Sequence, residues 1–154
     1  MAELLMKELI KDAVEQDILE KGDVKVSSAG LFAVEDDEAS VYAVEVLEHV
    51  YELDIDKHRA RQLTEEMVEE NDLIVTMTDG HKHAIINAYP EAEDKTFTLK
   101  ELAYGEAGCE DEESLDIEDP YRGDREDYEA CAAEIYEALK KAFDKMTAET
   151  EETA

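Results

Sequence analysis

No stretch of this sequence is apolar over the roughly 20 residues that a bilayer-spanning helix requires, and no basic-then-apolar leader opens it. A soluble, cytoplasmic protein is therefore expected. Proline is scarce, at two residues, so little interrupts regular structure. Cysteine is equally scarce. Cys109 and Cys131 form no C-x-x-C pair, which gives no disulfide framework and fits a reduced compartment. Positive charge is the largest shortage: 15 Lys and Arg stand against 44 Asp and Glu, for a net charge of −29. Such a chain repels nucleic acid and anionic membrane, and neither is expected as a partner. It also repels itself, over a Debye length of about 8 Å at physiological ionic strength. A high-salt cytoplasm is one setting that would favour this surface.

What is present describes an α/β domain. The 154 residues suit one domain with a real core, and 44% apolar residues exclude a disordered composition. The opening "MAELLMKELIKDAVEQ" is helical in period. Leu4, Leu5, Leu9 and Ile10 fall on one side, Lys7, Glu8, Lys11 and Asp12 on the other, and no capping residue precedes them. Lys21-Gly22 reads as its stop. "DVKVSSAG" alternates as a short strand closed by Gly30. A second helix carries Val41, Val44, Leu47 and Val50, and a short third one starts at Thr64 with Met67-Val68 as its apolar face. "DLIVTMT" is a β-branched run of the kind buried on both faces of a sheet. Asp79-Gly80 turns into a helix ending at Pro90, and "KTFTL" is a further strand. Residues 103–118 read as a mobile surface loop. The closing helix sets Tyr128, Cys131, Ile135, Leu139 and Phe143 in one stripe. Residues 1–146 make the domain, and 147–154 an acidic disordered tail. Alternating helices and short strands imply a small, mostly parallel sheet flanked by helices. Three strands are few for such a sheet.

"HRARQLTEE", "DLIVTMT", "FTLKE" and "DPYRG", in this order and at these spacings, resemble the low-molecular-weight protein-tyrosine phosphatases, a family that includes bacterial protein-arginine phosphatases. The similarity runs from Met1 to about Lys145. Members begin with an apolar strand that enters a C-x5-R-[ST] phosphate loop, and a stretch similar to "MAELL" then starts the first helix. Here that helix starts the chain. The resemblance thus implies that the first, interior strand and the phosphate loop are missing, as a start assigned too far downstream would cause. Neither cysteine replaces the loop: Cys109 leads into "EDEESL" and Cys131 into "AAEIYE", with no arginine at the required place. The family chemistry is phosphomonoester hydrolysis through a phosphocysteine. It needs a thiolate lowered in pKa by a helix N-terminus and a guanidinium on the phosphoryl oxygens. No cofactor is implied.

The resemblance assigns roles to four residues that are present. Asp119 matches the general acid, which protonates the leaving oxygen or nitrogen; an Asp-Pro surface turn is the plainer reading. Tyr121 matches an aromatic that contacts substrate beside the site entrance, against an ordinary loop tyrosine. Arg122 stands where Gly is common and charges the rim. Ser28 and His58 match residues that support the phosphate loop by hydrogen bonds, against a turn serine and a loop histidine. Arg59 and Arg61 read as surface charge. His81 and His83, two residues apart, do not share a helix face, so no metal site is expected.

Loss of the interior strand should be costly. Each large apolar side chain buried is worth about 1.5–3 kcal/mol, so four or five of them represent roughly 6–15 kcal/mol, as much as a whole domain's typical stability of about 5–15 kcal/mol. Three readings follow. The chain is a phosphatase domain without its nucleophile, acting on phosphorylated protein once the loop is restored. Alternatively it is a non-catalytic relative whose vacated strand slot pairs with another chain or a second copy, or it is a degenerate fragment.

Overall fold

The computed structural model describes residues 1–105 and 115–153, with side chains described to residue 148; Cys109 lies outside them. Helix α1 (Ala2–Glu15) forms where the opening period places it and buries Leu5. Its end differs from the expected stop at Lys21-Gly22. Asp17 takes a left-handed conformation (φ 59°), its N–H donates to Val14 O, and the Ile18 N–H donates to Ala13 O at 2.9 Å. This pair of bonds closes the helix ahead of Gly22, with Asp in the place that Gly usually takes.

Helix α2 (Val41–Tyr51) starts at Ser40, whose Oγ accepts the Ala43 N–H at 3.3 Å. It buries Ala43, Val46 and Leu47, whereas Val41 and Val50 of the expected stripe stay exposed. Helix α3 (Glu65–Glu70) is capped by Thr64 and buries Val68, as read from the sequence.

Strand β1 (Ile74–Thr76) leads to helix α4 (Asp79–Ala88), capped by Thr78, so Asp79-Gly80 begin the helix instead of preceding it as a turn. A 3₁₀ turn (Pro90–Lys95) then delivers strand β2 (Thr96–Thr98) parallel to β1, with Val75 opposite Phe97. The expected α/β class with a small parallel sheet holds. Its strand count does not. Among the described residues the sheet has two strands, and residues 24–29 form no ladder. Their alternation has no partner strand to bond, and only Gly30 makes a bridge, to Gln62. Nor is β1 buried on both faces: Val75 is 37% exposed, and the far edge of the strand is unpaired among the described residues.

Helix α5 (Leu99–Tyr104) lies where a surface loop was expected to begin. Thr98 and Glu101 close a reciprocal capping box at its start. Helix α6 (Arg125–Thr153) continues through 147–153, where the sequence reads as a tail. Its stripe is buried as expected at Tyr128, Cys131, Ile135, Leu139 and Phe143. This face packs against α1, α2 and α5 around Leu5, Leu47, Leu99 and Ile117.

Unbalanced surface charge works against this packing. The melting temperature should therefore rise between about 0.1 M and 1 M KCl, as the Debye length falls from about 10 Å to 3 Å. A melting temperature that is flat or falls over that range would show that self-repulsion is unimportant.

Candidate functional site

The loop that carries Asp119 is tied down at both ends. On one side Ile117 is buried, its N–H donates to Met77 O at 2.8 Å, and Asp116 Oδ1 accepts the Asp79 N–H at 2.7 Å. These bonds join it to the C-terminal end of β1 and the start of α4. On the other side Asp124 and Asp127 each accept the other's N–H at 3.0 Å and cap α6. Between them the Gly123 N–H donates to Pro120 O at 2.7 Å. A Cβ at Gly123 would stand 2.8 Å from both Asp127 Cβ and Pro120 O, so this turn requires glycine. Ile117 also shows that the expected mobile loop over 103–118 is, at its C-terminal end, part of the core.

Asp119 itself is exposed, and its Oδ1 accepts the Tyr121 N–H at 3.0 Å. This is the local turn that Asp commonly makes with the residue two ahead. The loop and α6 border a hollow of about 420 Å³, lined by Asp119, Tyr121, Arg122, Asp127, Cys131 and Glu134 among others. Tyr121 is 69% exposed. Arg122 has a left-handed backbone (φ 69°), and its guanidinium carbon lies 5.6 Å from the centre of the Tyr121 ring.

Cys131 faces the same hollow, and its thiol donates to Glu118 O at 3.6 Å. Burial, with the carboxylates of Glu134 and Asp119, pushes its pKa up to about 11. A thiol so held is protonated at neutral pH and is no nucleophile.

Ser28 and His58 meet elsewhere, on a residue that the sequence did not single out. Ser28 Oγ donates to Glu3 Oε1 at 3.2 Å, and His58 Nδ1 lies 3.5 Å from Glu3 Oε2. Lys7 Nζ completes the group, 3.3 Å from the same oxygen. Burial favours the neutral form of Glu3, but Lys7, His58 and Ser28 outweigh it and hold its pKa below the usual value. Arg61, read as surface charge, donates twice to Ser28 O, at 3.2 and 3.1 Å. Arg59 pairs with Glu38 at 3.5 Å and donates to the carbonyls of Asp56 and His58. No hydrogen bond or ion pair joins the Glu3 group to Asp119 among the described residues. They are connected through α1, whose Met1, Ala2 and Leu4 pack against the buried cluster that includes Ile117 and Cys131.

His83 turns back onto its own helix, with Nδ1 2.9 Å from Asp79 O. Among the described residues, the carboxylates of Glu48, Asp54 and Asp56 converge within 4.8 Å of one another, all exposed. None of them belongs to either group above.

The model of the family described as low molecular weight phosphotyrosine protein phosphatase matches residues 1–152. The chain belongs to that family. It is 40% identical to a protein-arginine-phosphatase of Geobacillus stearothermophilus over 82% of this chain and 79% of that protein. It is 36% identical to one of Bacillus subtilis, over 86% and 81%. Among solved structures, the YwlE arginine phosphatase from G. stearothermophilus superposes with a TM-score of 0.80 at 35% identity, covering 99% of this chain and 87% of that one. A low molecular weight protein tyrosine phosphatase from T. tengcongensis gives 0.79 at 36% identity, covering 94% and 88%. In this member of the phosphatase family the DPYRG loop thus stands at the C-terminal end of β1, where open parallel sheets bind ligands.

Alkylation by iodoacetamide tests the state of Cys131. The reaction should be slow at pH 8 and accelerate as pH rises towards 11. Rapid modification of folded protein at pH 8 would show that the thiol is more reactive than its surroundings imply.

Proposed function

We propose that this protein dephosphorylates phosphorylated proteins in the cytoplasm, with Asp119 as general acid and Tyr121 beside the substrate. The nucleophilic cysteine and its arginine belong to a C-x5-R loop that the present sequence does not contain. Asp119 gives its proton to the departing atom as the phosphoryl group passes to the thiolate. The carrying observation is the double anchoring of the Asp119 loop, to the end of β1 and to α6. A general acid must be held within hydrogen-bond reach of the leaving atom, and such an anchored loop can supply that geometry. Cys109 and Cys131 lack an arginine at the right spacing, and Cys131 is held protonated. The chain Met1–Ala154 alone is therefore read as inactive.

Two observations favour phosphoarginine over phosphotyrosine as the substrate. The relatives at 40% and 36% identity are protein-arginine phosphatases. Around the hollow the carboxylates of Glu118 and Asp127, beside a Glu134 that pairs with Lys100, outnumber the Arg122 guanidinium and would attract a guanidinium leaving group more than a neutral phenol. The unpaired edge of β1, with Val75 exposed, supports a second reading in which the slot takes a strand from another chain.

The test is the mass of the N-terminal peptide of protein isolated from its own cell, combined with an assay on a phosphoarginine peptide. The expected result is an N-terminus that extends upstream through a C-x5-R loop and hydrolysis by that form, with none by Met1–Ala154. A mature N-terminus at Met1, or hydrolysis by Met1–Ala154 itself, would overturn the proposal.

A further inference from the structure

We infer that Arg122 is a specificity-determining residue of this site: its guanidinium receives a carboxylate that the substrate carries next to its phosphorylated residue. The inference deepens the phosphatase reading above and rests on it.

Arg59, Arg61 and Arg125 are each held by oxygen. Arg59 faces Glu38 at 3.5 Å, Arg125 faces Glu45 at 3.9 Å, and Arg61 donates twice to Ser28 O. Arg122 is exposed. Among the described residues its guanidinium pairs with no oxygen and lies 5.6 Å from the centre of the Tyr121 ring. Carboxylates are not in short supply, with 44 acidic residues to 15 basic ones. The backbone at this place is also unsuited to arginine. The Gly123 N–H donates to Pro120 O at 2.7 Å, which closes a four-residue turn with Arg122 in third position at φ 69°. A positive φ there favours Gly or Asn, and a residue with a longer side chain adopts it at a cost. No ion pair among the described residues offsets that cost.

Strained backbone at a binding site points to function when the strained residue faces the ligand. Arg122 borders the hollow together with Asp119 and Tyr121. A guanidinium offers parallel N–H donors that match the two oxygens of a carboxylate. Glu118 and Asp127 line the same hollow and repel a second carboxylate, so Arg122 also fixes where the substrate's acidic neighbour lies. Solvated surface arginines are common, and a stack on a neighbouring ring can hold one in place. Neither effect calls for arginine at a turn position that suits glycine, and neither distinguishes one phosphorylated peptide from another.

Two phosphoarginine peptides test this, one with Glu and one with Gln on both sides of the phosphorylated residue, using the hydrolysing protein isolated from its own cell and its variants. The wild type should favour the Glu peptide in kcat/KM by about threefold to tenfold, mainly through KM. The preference should shrink at about 1 M KCl. Arg122→Gly suits the turn and should remove the preference, Arg122→Glu should reverse it, and Arg122→Lys should keep part of it. A wild-type ratio near one, or a preference that survives in both Arg122→Gly and Arg122→Glu, would overturn the inference. So would equal losses on both peptides, which would make Arg122 a residue that only shapes the loop or touches the phosphoryl group. Hydrolysis of neither peptide by the wild type would overturn the phosphoarginine reading and the inference with it, whereas equal hydrolysis of the two refutes the inference alone.

Discussion

Burial of one face of α6 is the constraint on which the rest of the structure depends. Tyr128, Cys131, Ile135, Leu139 and Phe143 are each at most 8% exposed, and α1, α2 and α5 all pack on that face. Each such side chain is worth about 1.5–3 kcal/mol on burial, large against a net stability of about 5–15 kcal/mol. The sheet contributes less, since β1 and β2 pair over three residues each. Both ends of the candidate site depend on α6. Its N-terminal cap, Asp124 with Asp127, fixes the Asp119 loop. Its apolar face holds α1, which carries Glu3.

The scarcity of cations gives those present particular weight. Lys82 lies 2.9 Å from Glu101, the residue that closes the capping box of α5. Lys95 donates to the carbonyls of Val68 and Asn71 at the end of α3. The buried Lys100 pairs with Glu134 at 2.8 Å, and Arg61 grips Ser28. These four bind element ends, helices and loops together, and leave a surface dominated by carboxylates. Screening by salt acts on that surface far more than on the partly buried pairs.

How much of this was legible depended on how local each signal is. The α6 stripe and the Thr64 cap are local patterns, and both formed as read. The capping box of Thr98 and Glu101 is equally local, and it starts α5 where the β-branched "KTFTL" run reads as continuing strand. The strand over 24–30 failed because alternation specifies a face but supplies no partner to pair with. Glu3 was out of reach for a different reason. Its tie to Lys7 is visible one helical turn away, but those to Ser28 and His58 exist only once the chain is folded. Asp119 and Tyr121 are legible through family resemblance; the anchoring of their loop rests on Ile117, one of two apolar residues in the acidic stretch 110–119.

The most direct measurement of the account is the effect of Asp119→Asn on two substrates of the protein isolated from its own cell. A phosphoarginine peptide has a leaving nitrogen that must be protonated, whereas p-nitrophenyl phosphate releases a stable phenolate. A general acid contributes about 10²–10⁴-fold where the proton is needed. The account predicts a loss of that order on the peptide and a much smaller one on the aryl phosphate. Equal losses on both, or none on the peptide, would contradict it.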